Sequence, residues 1–226
     1  MSETERANVH ALPISIEYGG RPLTITPVVL ETDRGLVLVD VGPEGAIDAI
    51  ASHVEDLGYD LQDVWLVLCT HHDGDHVAGL AELLERTDAI VAAHEAEAPY
   101  VRGDEEPIKG DGDRYSPVRV DLELADGVRI PTLDGPVELV ETPGHSPGHV
   151  SLYKPSSSLL IAGDALVADG DEPLSGPKPE YTPDEERALE SVGRLADLEI
   201  DQVVCYHGGH VEAGSDRIRE IAATRD

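Results

Sequence analysis

The sequence has no phenylalanine, one tryptophan and one methionine, so any core must be assembled from aliphatic side chains. Base is scarce as well. Lysine and arginine together number 16 against 46 aspartates and glutamates, leaving a net charge of -30. Lysine is the rarer of the two and occurs only at Lys109, Lys154 and Lys178. Phosphate recognition requires clustered base, so nucleic acid and anionic membrane are poor partners for this chain. Two cysteines, Cys69 and Cys205, make no disulfide scaffold. Each ends an apolar run, as a buried strand-end residue does. No apolar run reaches the length of a membrane-spanning helix. The stretch from Met1 to His10 is polar and carries no apolar signal segment, which gives a cytoplasmic expectation.

A chain of 226 residues can bury a sizeable core, and one domain over 1–226 is expected, with 1–11 as a flexible tail. The acids are spread along the chain rather than gathered in a tail. Such a surface repels itself at low salt, and in molar salt the screening length falls to about 3 Å. This pattern indicates a halophilic cytoplasm.

Periodicity organises the chain into two similar halves. Leu12–Tyr18 and Leu23–Leu30 alternate as strands, and Leu36–Val39 completes a hairpin ending in Asp40. A helix follows over 43–57, where Ile47, Ile50, Ala51, Val54 and Leu57 share a face. Val64–Cys69 is an apolar strand opening into Thr70-His71-His72-Asp73-Gly74-Asp75-His76, with a helix over 77–85 beyond. Asp88–Ala92 reads as a strand and His94–Tyr100 as a short helix. In the second half, strands at His149–Tyr153 and Leu159–Ala162 form a hairpin ending in Asp164. A helix over 183–195 and a strand at Gln202–Cys205 lead to His207-Gly208-Gly209. The order hairpin, aspartate, helix, strand, histidine thus occurs twice. It predicts two packed sheets with helices outside and polar strand ends converging on one edge. Residues 101–117 have no periodicity and form either a disordered surface loop or a flap over a site. The Pro- and Gly-rich stretch 167–181 follows Asp164 and is expected to line the site.

Most of the ten histidines fall within 71–76, 145–149 and 207–210, each following or interrupting an apolar strand. Three His clusters, joined by aspartates at strand ends, point to a metal site. Alternate residues of an extended loop face one way, so His71, Asp73 and Asp75 can project together, with His76 turning in at the following helix. His72 is out of phase and reads as exposed. Pro143 and Gly144 precede His145, and Pro147 and Gly148 follow it, which stiffens the loop around a ligand. His149 reads as an orienting residue and His210 as peripheral. Gly208 and Gly209 let the backbone pass close beside His207. Asp164 sits where a carboxylate can bridge two ions, and Asp40 holds the matching place in the first half, as a supporting or capping residue.

These motifs, in this order, resemble the metallo-β-lactamase fold superfamily, and the likeness covers nearly the whole chain. The family pattern is an Asp after a hairpin, H-x-H-x-D-H, a His in a P-G-H segment, a Gly-Asp and a late His. The resemblance implies an α/β fold, a four-layer αββα sandwich of two similar halves. It also implies two divalent metal ions. Site 1 would be His71, Asp73 and His145; site 2 would be Asp75, His76 and His207, with Asp164 bridging. One departure stands out: Asp73 replaces the second histidine of H-x-H-x-D-H. A carboxylate is a harder ligand, so zinc remains the expected metal while iron or manganese gains ground.

The implied activity is metal-dependent hydrolysis of a small ester, thioester or lactone by an activated water, as in the glyoxalase II-like hydrolases, with Asp75 as the catalytic residue. An iron-dependent oxygenase of the same fold and a non-catalytic metal-binding protein are the alternatives. Tyr181, Lys178 and Tyr206 are candidate substrate contacts. The expected partner is a small molecule, with neither nucleic acid nor membrane, and a homodimer is compatible with the fold.

Overall fold

Alternating apolar residues on both strand faces require cover on both sides, and the chain supplies it with helices. A computed structural model describes residues 8–18, 21–109, 114–168 and 173–224. The first half runs through β1 (Val9–Ala11), β2 (Ile14–Tyr18), β3 (Arg21–Ile25), β4 (Val28–Thr32) and β5 (Gly35–Val39). Helix α1 (Ile47–Asp56) leads to β6 (Val64–Cys69), followed by α2 (Gly74–Val77), α3 (Leu80–Arg86), β7 (Ile90–His94), α4 (Ala98–Arg102) and β8 (Leu122–Leu124). The second half contains β9 (Arg129–Thr132), β10 (Gly135–Glu141), β11 (Val150–Lys154), β12 (Leu159–Gly163), α5 (Glu185–Leu195), β13 (Gln202–Cys205), β14 (Gly209–Val211) and α6 (Ser215–Ala222).

Two six-stranded sheets result, in the orders β1-β4-β5-β6-β7-β8 and β14-β13-β12-β11-β10-β9. The internal repeat is explicit in the pairing. β4 and β5 are antiparallel and β5 and β6 parallel, with α1 as the crossover. β11 and β12 are likewise antiparallel and β12 and β13 parallel, with α5 as the crossover.

Three apolar layers separate the four structural layers. Between the sheets lie Val37, Val39, Leu66 and Leu68 from the first and Leu139, Leu152, Leu159 and Ile161 from the second. Their sequence neighbours point outward: Leu36, Leu38, Val67 and Cys69 pack with Ile47, Ile50 and Leu83 of α1 and α3. Leu160, Val203 and Cys205 pack with Val192, Leu195, Ile218 and Ile221 of α5 and α6. Alternation with period two therefore feeds both faces of each sheet. Both thiols are buried, which raises their pKa values, as strand-end packing implies.

Several local expectations need correction. The run Leu12–Tyr18 holds one strand, β2, starting at Ile14 after Pro13, whereas Leu23–Leu30 is not one strand. Pro27 lacks the N–H that a continuous ladder requires, so the second run divides. Its pieces are β3, which joins β2 in a separate hairpin, and β4, which pairs with β1 in the first sheet. Val9–Ala11, placed in a flexible tail by sequence, is β1 at the sheet edge, pairing Val9 with Leu30; residues 1–7 of that tail lie outside the described residues. The helix expected over 77–85 is divided into α2 and α3 at Gly79, where a Cβ would meet the Val41 and Pro43 carbonyls at 3.1 and 3.2 Å. The strand and helix expected at 88–92 and 94–100 lie further along, as β7 and α4.

Candidate metal centre

The site gathers at the carboxyl ends of β5, β6, β10, β12 and β13, where the backbone leaves the ladders and side chains can converge. Beyond β5 stands Asp40, beyond β6 the segment 70–76, beyond β10 the loop carrying His145, beyond β12 Asp164, and beyond β13 His207. Two glycines make the close passages possible. At Gly144 (φ 131°) a Cβ would lie 2.2 Å from the Ala188 nitrogen of α5. At Gly208 (φ 109°) one would lie 1.9 Å from the Ala168 carbonyl oxygen. No other residue fits these two positions without moving backbone.

The seven sequence-derived ligand candidates are brought together. Asp73 Oδ2 lies 3.2 Å from both His71 Nε2 and His145 Nε2. Asp75 Oδ2 lies 3.2 Å from His207 Nε2. Asp164 stands between the groups, with Oδ1 3.4 Å from His76 Nε2 and Oδ2 3.4 and 3.5 Å from His145 and His207 Nε2. In each of the sets His71–Asp73–His145, Asp75–His76–His207 and His71–His76–Asp164, one ligand atom per residue lies within 4.8 Å of the others. Asp73 and Asp75 therefore serve different groups instead of projecting together.

Supporting hydrogen bonds set which nitrogen His71, His76 and His145 present. The Thr70 hydroxyl donates to Asp40 Oδ2 at 2.8 Å, so its oxygen accepts the His71 Nδ1 proton at 3.0 Å. Asp40 Oδ2 also accepts from His76 Nδ1 at 2.8 Å, and Oδ1 accepts the Thr70 N–H at 2.8 Å. The Thr182 hydroxyl donates to the Lys178 carbonyl and can accept from His145 Nδ1 at 3.4 Å. In each case Nε2 is left facing the centre with its lone pair. His71 Nε2, His76 Nε2 and Asp164 Oδ1 are buried without a hydrogen-bond partner. Buried polar atoms in native proteins are almost always satisfied, so these convergent orphans fit a metal ion. His71, Asp73, His145, Asp75, His76, His207 and Asp164 would hold it.

Charge agrees with that fit. Burial opposes ionisation of Asp164, yet His76, His207 and His145 hold its carboxyl well below the usual range. Asp73 is likewise held low against burial by His71, His145 and Lys109. Burial disfavours the His76 cation, but Asp164, Asp40 and Asp75 raise its pKa well above the ordinary value. Burial and the neighbouring His76 lower that of His71. The cluster is a place that calls for positive charge.

His149 acts as expected of an orienting residue: its Nε2 accepts the Asp164 N–H at 3.0 Å, and its Nδ1 donates to Thr142 Oγ1 at 2.8 Å. His210 is peripheral and exposed, bonded to Gln202. His72 corrects the sequence reading, being fully buried and stacked on Tyr100 at 4.1 Å. Its Nδ1 donates to Glu97 Oε2, which also accepts the His72 N–H at 2.9 Å. Glu97 Oε1 accepts the Ser146 hydroxyl at 2.8 Å and the Gly148 N–H at 2.6 Å. One buried carboxylate thereby joins the 71–76 and 145–148 loops. Sequence carries no periodic mark of Glu97; Thr70 has a signal, a polar residue between a strand-end Cys69 and His71.

Tyr206 is also placed differently from a substrate contact. Its buried ring stacks on His76 at 3.6 Å and its hydroxyl donates to the Asp75 carbonyl at 2.5 Å, bracing the second metal group. Tyr181 is 55% exposed at the rim. Residues 103–109 pass over the mouth, where Lys109 Nζ lies 2.5 Å from Asp73 Oδ2. They are a flap across the site, while 110–113 and 169–172 lie outside the described residues. No helix among the described residues is long and apolar enough to cross a membrane.

Comparison with known proteins agrees with this arrangement. The family model of the metallo-beta-lactamase superfamily matches residues 20–207. A probable metallo-hydrolase, YflN, of Bacillus subtilis is 30% identical over 200 residues, spanning 77% of this chain and 76% of its own. A hydroxyacylglutathione hydrolase of Ruegeria pomeroyi is 33% identical, spanning 84% of this chain and 67% of its own. The crystal structure of a metallo-beta-lactamase family protein of Thermus thermophilus superposes with a TM-score of 0.76 at 26% identity, covering 96% of this chain and 78% of that one. With its doubled αββα sandwich and convergent His and Asp side chains, the chain belongs to the metallo-β-lactamase superfamily and is a metal-dependent hydrolase.

Proposed function

We propose that the chain hydrolyses a small ester, thioester or lactone at a centre of two divalent ions, zinc being the leading choice. The observation that carries this is Asp164, whose two carboxylate oxygens face different histidines, Oδ1 toward His76 and Oδ2 toward His145 and His207. That is the disposition of a bridging ligand between His71–Asp73–His145 and Asp75–His76–His207. Bound there, divalent ions supply Lewis acidity and lower the pKa of water toward neutrality. Asp75 Oδ2 would accept a proton from the attacking water, its side chain being the most exposed of its group, at 28% against 20% for His207. Tyr206 fixes Asp75 from behind through the backbone, and Asp40 fixes His76. The flap 103–109 and the rim at Tyr181 meet across the mouth through Lys109. A hydroxyacylglutathione hydrolase, by its name, acts on an acyl group carried by glutathione; similarity to such a protein over most of this chain favours an acyl substrate. A charge of -30 disfavours nucleic acid and anionic membranes as partners.

Asp73 favours one second reading. A carboxylate in the first group suits iron or manganese, and with iron the centre becomes an oxygenase site. Metal content of protein purified in molar salt without chelator, followed by an ester and thioester panel, separates the two. Two zinc ions and anaerobic hydrolysis are expected. One iron per chain with substrate-dependent oxygen uptake would overturn the hydrolase reading.

The charge also predicts a halophilic cytoplasmic setting. Raising KCl from 0.1 to 2 M is expected to raise Tm by roughly 10 °C, since screening of like charges shortens from about 10 Å to under about 3 Å. A Tm independent of KCl would remove that inference.

A further inference from the structure

Lys109 is one of three lysines in the chain, and the fold carries it to the metal centre. The segment bearing it, 103–109, is held at its base. Asp104 and Glu105 donate their N–H groups to the Pro99 carbonyl at 2.8 and 3.2 Å. Arg114 donates to the Tyr100 and Glu105 carbonyls at 2.7 and 2.8 Å. Nearer the tip, the Ile108 N–H donates to the buried Nε2 of His72 at 3.3 Å, so the His72–Glu97 network aims the segment. At the tip, Lys109 Nζ lies 2.5 Å from Asp73 Oδ2 and 2.7 Å from His145 Nε2. It also donates to the His145 and Tyr181 carbonyls, each at 3.1 Å. Tyr181 belongs to the opposite rim, so the lysine ties the two sides of the mouth together.

Two of these contacts, to Asp73 Oδ2 and His145 Nε2, bear on the metal. His145 Nδ1 faces Thr182, which leaves its Nε2 lone pair as the one for the centre. Lys109 takes that same lone pair. A metal ion would need it too, about 2.0–2.1 Å from the nitrogen and about 2.0–2.2 Å from Asp73 oxygen. A lone pair serves one partner, and an ammonium and a divalent ion repel at such range. By contrast, the ion-pair contacts of Asp75, His76 and His207 run to Asp164, Asp40 and one another. The departure at position 73 acquires a reason as well. A carboxylate can pair with the ammonium, whereas a neutral imidazole could only accept one hydrogen bond from it.

We propose that Lys109 is a tethered competitor for site 1, so that site 2 fills first and an ion enters site 1 only by displacing the ammonium from His145 and Asp73. Displacement frees Lys109 from the contacts that draw it down, and loosens the segment 103–109 from the Tyr181 rim. This inference rests on the two-ion reading of the centre.

The test is a calorimetric titration of metal-stripped protein with Zn²⁺ in molar KCl, on the unaltered chain, Lys109→Met and Lys109→Gln. Both substitutions remove the charge while keeping much of the stem, at a side chain 19% exposed. The unaltered chain is expected to bind two ions in two affinity classes. Either substitution is expected to tighten the weaker class about tenfold or more and leave the tighter class within about twofold. Amide hydrogen exchange at 104–109 should rise in the unaltered chain on adding the second equivalent and not the first. Two equivalents with the weaker class unchanged or weakened by both substitutions would overturn the role of Lys109 and spare the two-ion reading. A single equivalent in all three proteins would overturn both.

Discussion

Replacing Asp75 by Asn is expected to lower kcat for ester or thioester hydrolysis by about 10²- to 10⁴-fold, the range for losing a positioned general base. The fold should be indifferent. The Asp75 side chain is partly exposed, and among the described residues its carboxylate pairs with His207 at 3.2 Å. The amide preserves the shape and one oxygen but removes the charge and the site that would take a proton. Asp75 also faces the second metal group, so metal content must be measured on the same sample. Two ions retained with kcat lost would assign the defect to proton handling. Loss of one ion would assign it to ligation. Activity within about tenfold of the unaltered chain would remove Asp75 from the chemistry altogether.

The second large effect concerns stability. Glu97 is fully buried and accepts from four donors: the His72 N–H and Nδ1, the Ser146 hydroxyl and the Gly148 N–H. Glu97→Ala leaves all four in a dry interior. Breaking such an arrangement costs about 3–5 kcal/mol. Each kcal/mol lowers Tm by about 2–4 °C in a chain of this length. Glu97→Gln should recover little, because its NH₂ would face donors on one side of the carboxylate's position. The same substitutions should weaken metal binding, since Ser146 adjoins His145 and His72 adjoins His71. Thermal unfolding and metal titration check both. An unchanged Tm in Glu97→Ala would mean that water replaces the carboxylate and that the two loops are held by other means.

The glutamate illustrates where sequence reading stops. Glu97 stands 25 residues from His72 and 51 from Gly148, and its neighbours Glu95 and Ala96 give it no distinguishing pattern. Burial is decided by what packs above it, and a charged residue in a short polar run reads as solvated. His72 escapes for the same reason. Alternation along the loop assigns it to the outward side, but Tyr100 from α4 stacks over it. Lys109 lies in a segment without periodicity, so nothing local shows that its amino group reaches residues 36 and 72 positions away.

Legible in consecutive residues were most strands and helices of the two halves, the repeat relating them, the buried cysteines and the order of the ligand-bearing segments. Those features are local: an alternating strand, an amphipathic helix and a His or Asp at a strand end each fit within one short window. Packing in three dimensions added that Asp73 and Asp75 part company, that Asp40 and Thr70 fix the histidine tautomers, and that Tyr206 reaches Asp75 across 131 residues. It also sends β2 and β3, bounded by Pro13 and Pro27, into a hairpin of their own. Such contacts join elements distant along the chain, and their geometry comes from how sheets, helices and loops pack, which no spacing between neighbouring residues encodes.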